Sequence, residues 1–457
     1  MLTSSLLKPI TLKTRLVTEE MSFTVVSTDT RTITAGALFV PLIGERFNGH
    51  DYVLTAIQNG AIAALWEEGQ PLPKELPSEF QLFIVKDTLY ALQEMASVYR
   101  KKVNPKVIGI TGSNGKTTTK DILASILSVK GETYKTQGNF NNHIGLPLTI
   151  LGMPSTCEYL ILEMGMSGFG EIERLSMIAE PDMALVTNIG ESHMEQLGSR
   201  EGIAKAKMEI KEGLLAKGSL FVDSDEPLLR AWNDPCIVKV GFKEADLLID
   251  HVTATETGYE FAIGNESYSL SMLGKHNVKN AAYCIAVAKN FGLSVEQIKK
   301  GLASLSLTSM RLERLTGNHG ELIVNDAYNA SPTSMIAAIE AIKMIPNYQK
   351  RVLVLGDMFE LGSNEEALHK SVANVITEPI THIMTLGDRA KWIYEAILER
   401  EHESFQKVTH IETKQEAANQ LKELVDNETV VLFKASRGMK LEEVITIYQD
   451  TTERGND

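Results

Sequence analysis

The chain has 457 residues, with 45 basic against 59 acidic side chains and a net charge of −14. That length holds two to four domains with ample core in each, and an acid excess spread without long blocks argues against a nucleic-acid or anionic-membrane surface. Three scattered cysteines, Cys157, Cys236 and Cys284, match no metal-ligand spacing and suit a reducing compartment; with no signal-peptide pattern in "MLTSSLLKPITLK" and no apolar run of membrane-spanning length, a soluble cytoplasmic protein is expected.

In chain order, residues 1–100 carry short elements of their own, such as the strand-like "GALFVPL" and the helix-like "YVLTAIQNGA". The polar stretch "YRKKVNPK", with Pro105, reads as a linker. From residue 106 to about 310, strands and helices alternate: "YLILE", "MALVT", "SLFV" and "CIVKV" are each strand-like. "GYEFAIGNESYSLSM" interrupts this pattern. Its residues alternate on either side of Gly264-Asn265, which predicts a β-hairpin. After Arg311 the alternation restarts with "ELIVN", "RVLVL", "HIMTL" and "TVVLF". The expected architecture is three α/β domains, 1–104, 105–312 and 313–457.

"KVIGITGSNGKTTTKDIL", residues 106–123, carries the first chemistry. Gly115, Lys116 and Thr117 fit the end of a phosphate-binding loop, but the leading glycine is displaced to Gly112, giving G-x-x-G-K-T. The context supports a phosphate site all the same. An apolar strand precedes the loop, and Ile122, Leu123, Ile126 and Leu127 follow at helical spacing, with Gly131 placed to end the helix. Backbone N–H groups and the positive helix end meet an anion there, Lys116 adds charge, and Thr117 is placed to ligate magnesium. Past the ends of the next two strands stand Glu163 and then Asn188 and His193, where parallel sheets bind ligands. A carboxylate and a histidine beside a phosphate loop suggest a cation site, although magnesium prefers oxygen.

In order, "GITGSNGKTTTKD", "GNFNNHIGLP", "LEMGMSGFGEI", "TNIGESHMEQLGS", "AKMEI", "GKHNVKNA" and "NDAYNASP" resemble the signatures of the Mur ligase family, over nearly the whole chain. These ligases build the peptide of bacterial cell-wall precursors, and the displaced glycine is normal among them. The resemblance implies a small N-terminal α/β uridine-nucleotide module, a central P-loop-type mononucleotide-binding sheet and a C-terminal Rossmann-like α/β domain that closes on ATP and binds the incoming dipeptide. It implies Gly112, Ser113, Asn114, Gly115, Lys116, Thr117 and Thr118 on the phosphates, with Thr117 on magnesium and Glu163 and His193 on a second one. Asn277 and Asn280 would lie against adenine, though Asn277 could equally cap the helix that follows. Arg311 would reach the ATP phosphates and Asp326 the ribose, while Asn139, Asn142, Tyr328, Asn329 and Ser331 would line the substrate path.

"DAYNASP" followed by "VLGDMFELG" resembles the members that add D-alanyl-D-alanine to a UDP-N-acetylmuramoyl-tripeptide, and a monomer is expected. The uridine module would use Ser27, Thr30, Arg31 and Asn48. Here the chain departs from the family: Thr30 stands in an Asp-Ser-Arg pattern, and Asn48 replaces an acid and forms a turn pair with Gly49. Asn325 likewise replaces a frequent acid before Asp326, and Ala435 a glycine. The nearest rivals are a relative adding a single amino acid and a folate polyglutamylating ligase. No Asp-Asn-Pro-Arg motif for diaminopimelate occurs, and a folate enzyme would lack the uridine module.

"EGIAKAKMEIKEGLL" holds a further candidate. On a helix, Ile203, Ile210 and Leu214 form a stripe, Lys207 falls beside it, and Lys205 falls on the opposite side. On the pattern alone, Lys207 is either an inward cation or a lysine whose stem packs while its head reaches water. The family resemblance implies the first, with the amine carbamylated by carbon dioxide.

Overall fold

The computed structural model describes residues 2–17, 19–255, 257–400 and 407–450. Its internal contacts divide the chain into two units. One holds residues up to Thr111 with Lys130–Leu185 and Met208–Leu220; the other holds Gly112–Val129, Val186–Lys207 and the described residues from Phe221 on.

In the first unit, the N-terminal segment forms a five-stranded sheet in the order Thr11–Arg15, Gln81–Val85, Ala61–Glu67, Ala37–Phe39, Val26–Ser27. All neighbours are parallel except the first pair. Phe39, Val53, Ala56, Trp66 and Leu82 pack into its core. The expected strand "GALFVPL" is regular only over Ala37–Phe39, and the expected helix is a 3-10 turn, Gly49–Tyr52, running into Val53–Gln58.

"YRKKVNPK" is not a linker. It is the last turn of the helix Thr88–Val103 and its cap. Asn104 closes that helix in the left-handed region (φ 56°), its N–H on the Arg100 carbonyl, before Pro105 forbids continuation. The polar residues divide by face: Tyr99 is buried with its hydroxyl on the Met153 carbonyl at 3.0 Å, and the buried Arg100 donates to the Ile178 carbonyl at 3.2 Å and pairs with Glu180 at 2.7 Å. Beyond Pro105, Lys106–Thr111 runs parallel to Tyr159–Glu163, which pairs with Thr133–Lys135.

In the second unit, the helix Lys116–Leu127 stops at Ser128, so Gly131, three residues on, is not its cap. The predicted hairpin is present: Tyr259–Ile263 pairs antiparallel with Glu266–Leu270 across a turn at Gly264. The C-terminal part is a six-stranded sheet in the order Glu313–Thr316, Leu322–Asn325, Thr429–Lys434, Lys350–Gly356, His382–Leu386, Lys407–Ile411. Only the first strand is antiparallel to its neighbour. Apolar clusters pack on this sheet: one gathers Val324, Leu353 and Leu355 with Met335 and Ile339, the other Ile323, Val352 and Val354 with Val444 and Tyr448. Buried on both faces, the central strands read as near-continuous Val/Leu runs, the pattern of parallel sheets.

Candidate active site

The phosphate loop of the second unit is held from below by the segment Thr187–Gly190. The Asn114 N–H donates to Asn188 Oδ1 (2.9 Å), and the Asn114 carbonyl accepts from Thr187 Oγ1 (2.6 Å) and Asn188 Nδ2 (3.0 Å). The Ser113 N–H meets the Asn188 carbonyl, and Ser113 Oγ accepts from the Gly190 N–H at 2.8 Å. This lacing requires glycine at position 112, where φ is 146° and a Cβ would lie 1.9 Å from Thr187 Oγ1. Lys116 Nζ donates to the Gly112 carbonyl at 2.6 Å, so the cation sits over its own loop. Thr117 and Thr118 are buried in the first turn of the following helix, whose amides point at the loop.

Asn280 stands against the loop: a Cβ on Gly115 would be 3.1 Å from its Oδ1. Its Nδ2 donates to Asn277 Oδ1 (2.9 Å), and Asn277 Nδ2 donates to the Leu273 carbonyl (2.7 Å). The helix begins at His276, so Asn277 lies inside its first turn and does not cap it.

Arg311, Asp326, Tyr328, Asn329 and Ser331 come together in the same unit. The Arg311 guanidinium lies 4.2 Å from the centre of the Tyr328 ring, and its neighbours Met310 and Leu312 are both in the left-handed region, φ 60° and 49°. Strain of this kind in bulky residues gathers at functional joints. Asp326 follows the strand Leu322–Asn325, pairs with the buried Lys434 at 2.5 Å and accepts the Leu312 N–H at 3.1 Å. Lys434 also donates to the Asn329 carbonyl, and Ser331 Oγ caps the helix Pro332–Lys343 while accepting from Asn114 Nδ2 at 3.2 Å. Sequence reading missed Lys434, which lies 108 residues from Asp326; its only signal was its place at the end of the strand "TVVLFK".

His193 is itself left-handed (φ 65°), with Nδ1 3.6 Å from Glu360 Oε2. Lys207 is 2% exposed, whereas Lys205 faces solvent, so the inward orientation holds and the head does not reach water. Burial, and then the nearby Lys116 charge, push the Lys207 amine well below its ordinary value.

In the first unit, Glu163 is buried at the end of its strand opposite Ile110, its N–H on Thr136 Oγ1 at 3.0 Å. Asn139 and Asn142 are exposed on the loop after the strand Thr133–Lys135, and Asn142 Oδ1 accepts the N–H groups of Ile144 and Gly145. In the N-terminal sheet, Ser27 Oγ bonds the Asp29 backbone, Thr30 is half-buried, and the exposed Arg31 pairs with Asp29 at 2.6 Å. Asn48 accepts both the N–H and the Nδ1–H of His50, at 3.0 and 2.7 Å, which makes it the cap of the 3-10 turn. His50 Nε2 accepts the Glu67 N–H, so the buried ring is neutral, and burial holds it at about 4. Among the described residues, no three of His, Cys, Asp and Glu gather as a metal cage, and no helix is long and apolar enough to cross a membrane.

A protein of Bacillus subtilis (strain 168) named UDP-N-acetylmuramoyl-tripeptide–D-alanyl-D-alanine ligase is 46% identical over 424 residues, 92% of this chain and 92% of its own. The chain belongs to the Mur ligase family. Three family models match in order: "Mur ligase family, catalytic domain" over residues 22–108, "Mur ligase middle domain" over 110–288, and "Mur ligase, glutamate ligase domain" over 310–437. Among solved structures, MurF from Acinetobacter baumannii superposes with a TM-score of 0.86 at 30% identity, covering 98% of each chain. The MurF ligase of Thermotoga maritima in complex with ADP gives 0.83 at 29% identity, covering 94% of this chain and 98% of that one. The fold class is therefore α/β in three Mur ligase domains.

Proposed function

We propose that the chain joins D-alanyl-D-alanine to UDP-N-acetylmuramoyl-tripeptide at the expense of ATP, giving the pentapeptide precursor of peptidoglycan, ADP and phosphate. The observation that carries this is the 46% identity, over 92% of both chains, to a ligase named for that reaction. The same reading divides the chain into a UDP-substrate domain (1–104), a central ATP domain (105–312) and a closing domain (313–457), acting as a monomer in the cytoplasm.

A carboxylate is a poor electrophile toward an amine. ATP is spent to phosphorylate the tripeptide's terminal carboxyl; the dipeptide amine then attacks the acyl carbon and phosphate leaves. Gly112, Ser113, Asn114, Gly115 and the first helical amides would cradle the phosphates, with Lys116 offsetting charge on the transferring group. Asn277 and Asn280 would contact adenine, Arg311 the phosphates and Asp326 the ribose. Tyr328, Asn329 and Ser331 would shape the dipeptide site; Asn139 and Asn142 would meet the tripeptide, and Ser27, Thr30, Arg31 and Asn48 the uridine nucleotide. The acyl phosphate must be kept from water, a reason to draw its ligands from several domains.

The residues present suit magnesium carried by a nucleotide. That ion keeps its own waters and phosphate oxygens and takes only one or two protein ligands, and Thr117 stands in the first turn of the helix that follows the loop. Thr117 would hold it, with Glu163 and His193 assigned to a second ion by the family's motifs; bound magnesium supplies charge neutralisation. Lys207, buried and with a depressed amine, is poised to add to carbon dioxide as the neutral base, its nitrogen bonding the carbon and losing a proton to leave a carbamate anion.

A coupled ADP-release assay tests the reading, with UDP-muramoyl tripeptide and either D-alanyl-D-alanine or single amino acids. Turnover is expected only with the dipeptide; turnover with a lone amino acid instead would overturn it.

A further inference from the structure

Gln93 is a buried polar side chain to which the chemistry above gives no role. It sits on the helix Thr88–Val103 and is 4% exposed. Its Oε1 accepts two N–H groups of Arg174, Nε at 2.9 Å and Nη2 at 2.5 Å, while its Nε2 donates to the His143 carbonyl at 2.9 Å. Two donors on one oxygen fix the amide's orientation, leaving only the nitrogen to face His143. Arg174, on the helix Glu171–Ala179, is in turn steadied over the Tyr90 ring at 5.5 Å, three residues before Gln93.

The loop that Gln93 holds is the one bearing Asn139 and Asn142. Its near end is tied to the strand of the buried carboxylate: Thr136 Oγ1 accepts the Glu163 N–H, and the Asn141 carbonyl accepts the Gly165 N–H at 2.8 Å. A Cβ on Gly165 would come within 2.9 Å of Asn141 Oδ1, so loop and strand end are packed at contact. Its far end is held by Gln93, from the helix that ends the N-terminal segment. Asn139, Phe140 and Asn142 are exposed between Thr136 and His143, with Asn141 tied down among them.

We propose that Gln93 is a positioning residue for the UDP-linked peptide: it sets the asparagine loop relative to the uridine module, so that a substrate anchored by its nucleotide meets Asn139 and Asn142 in register. This rests on the functional reading above. ATP and the dipeptide amine are not assigned to this loop, which predicts selectivity among the three substrates.

Gln93→Glu separates the two halves of the network. It keeps an oxygen for Arg174 but replaces the donor facing His143 with an acceptor. The KM for UDP-muramoyl tripeptide should rise about tenfold, with the KM values for ATP and D-alanyl-D-alanine within about twofold, while the lost bond to the His143 carbonyl lowers the melting temperature modestly. If Gln93→Glu does not fold, Arg174→Gln, which leaves the donor in place but frees the amide to rotate, should raise the same KM about threefold. Unchanged KM for the tripeptide, or a uniform loss that tracks melting temperature, would overturn the proposal. A wild-type enzyme that ignores the tripeptide would instead overturn the functional reading and this role with it.

Discussion

Lys207 and His50 are both buried and basic, each with its charged form disfavoured by burial, yet they lead to opposite expectations. If Lys207 carries the carbamate proposed above, Lys207→Ala should lose most activity and added acetate should restore part of it; full activity in the alanine variant would end that assignment. For His50, the fold disfavours the charged ring. The unfolded chain takes up this proton near 6.5, the folded one near 4, so the stability from the neutral ring is present above that window and is lost as pH falls through it. By pH 5 the loss is about 2 kcal/mol, and the Glu67 amide, which His50 Nε2 accepts, should show a lower exchange protection factor than at pH 7.5. A protection factor equal at the two pH values would contradict this. At this scale, legibility followed distance along the chain: the strand, glycine turn and helix around Gly112 to Thr118 are local and could be read, whereas helical phase put Lys207 beside the apolar stripe without fixing where its head went. His50 was not read as a buried neutral ring because its second partner, the Glu67 N–H, lies 17 residues on and is brought to it only by the fold.

Among elements, the C-terminal strands were found and two helix ends were mistaken, Gly131 after the phosphate-loop helix and the end of Thr88–Val103. "RVLVL", "HIMTL" and "TVVLF" all lie in the six-stranded sheet, because a strand buried on both faces needs an unbroken apolar run. "YRKKVNPK" misled because composition was weighed there and facing was not: Tyr99 and Arg100 point inward while Lys101 and Lys102 face out. Arg100 carries that helix end. Arg100→Ala should lower stability by about 2 kcal/mol, since it strips a partner from the Ile178 carbonyl and the partly screened Glu180 carboxylate. Urea unfolding measures the loss, and Arg100→Lys should recover part of it; an unshifted midpoint would show the pairing to be idle. The joint at Met310 and Leu312 was invisible for a different reason, since nothing in "SMRLE" announces two left-handed residues.

For the molecule as a whole, the order of motifs was legible because each is a short local pattern. The long-range ties were not: Asp121, on the helix after the phosphate loop, accepts the N–H and hydroxyl of Thr308, 187 residues away. A ligand that binds only the native chain must stabilise it, so a non-hydrolysable ATP analogue with magnesium at about a hundred times its Kd should add about 2.7 kcal/mol. Differential scanning calorimetry would show this as an upward shift, absent in Lys116→Ala; equal shifts in the two proteins would remove the lysine from the site. The helix Thr88–Val103 also decides how this protein can be taken apart. A gene cut after residue 104 looks natural from the sequence, yet it would strand Tyr99 and Arg100 without Met153, Ile178 and Glu180, exposing an aromatic face and a bare guanidinium. The N-terminal module made alone should be a poor expression product, and trypsin should spare Arg100 in the intact chain; the piece that can be produced separately is not the piece that looks separate in the sequence.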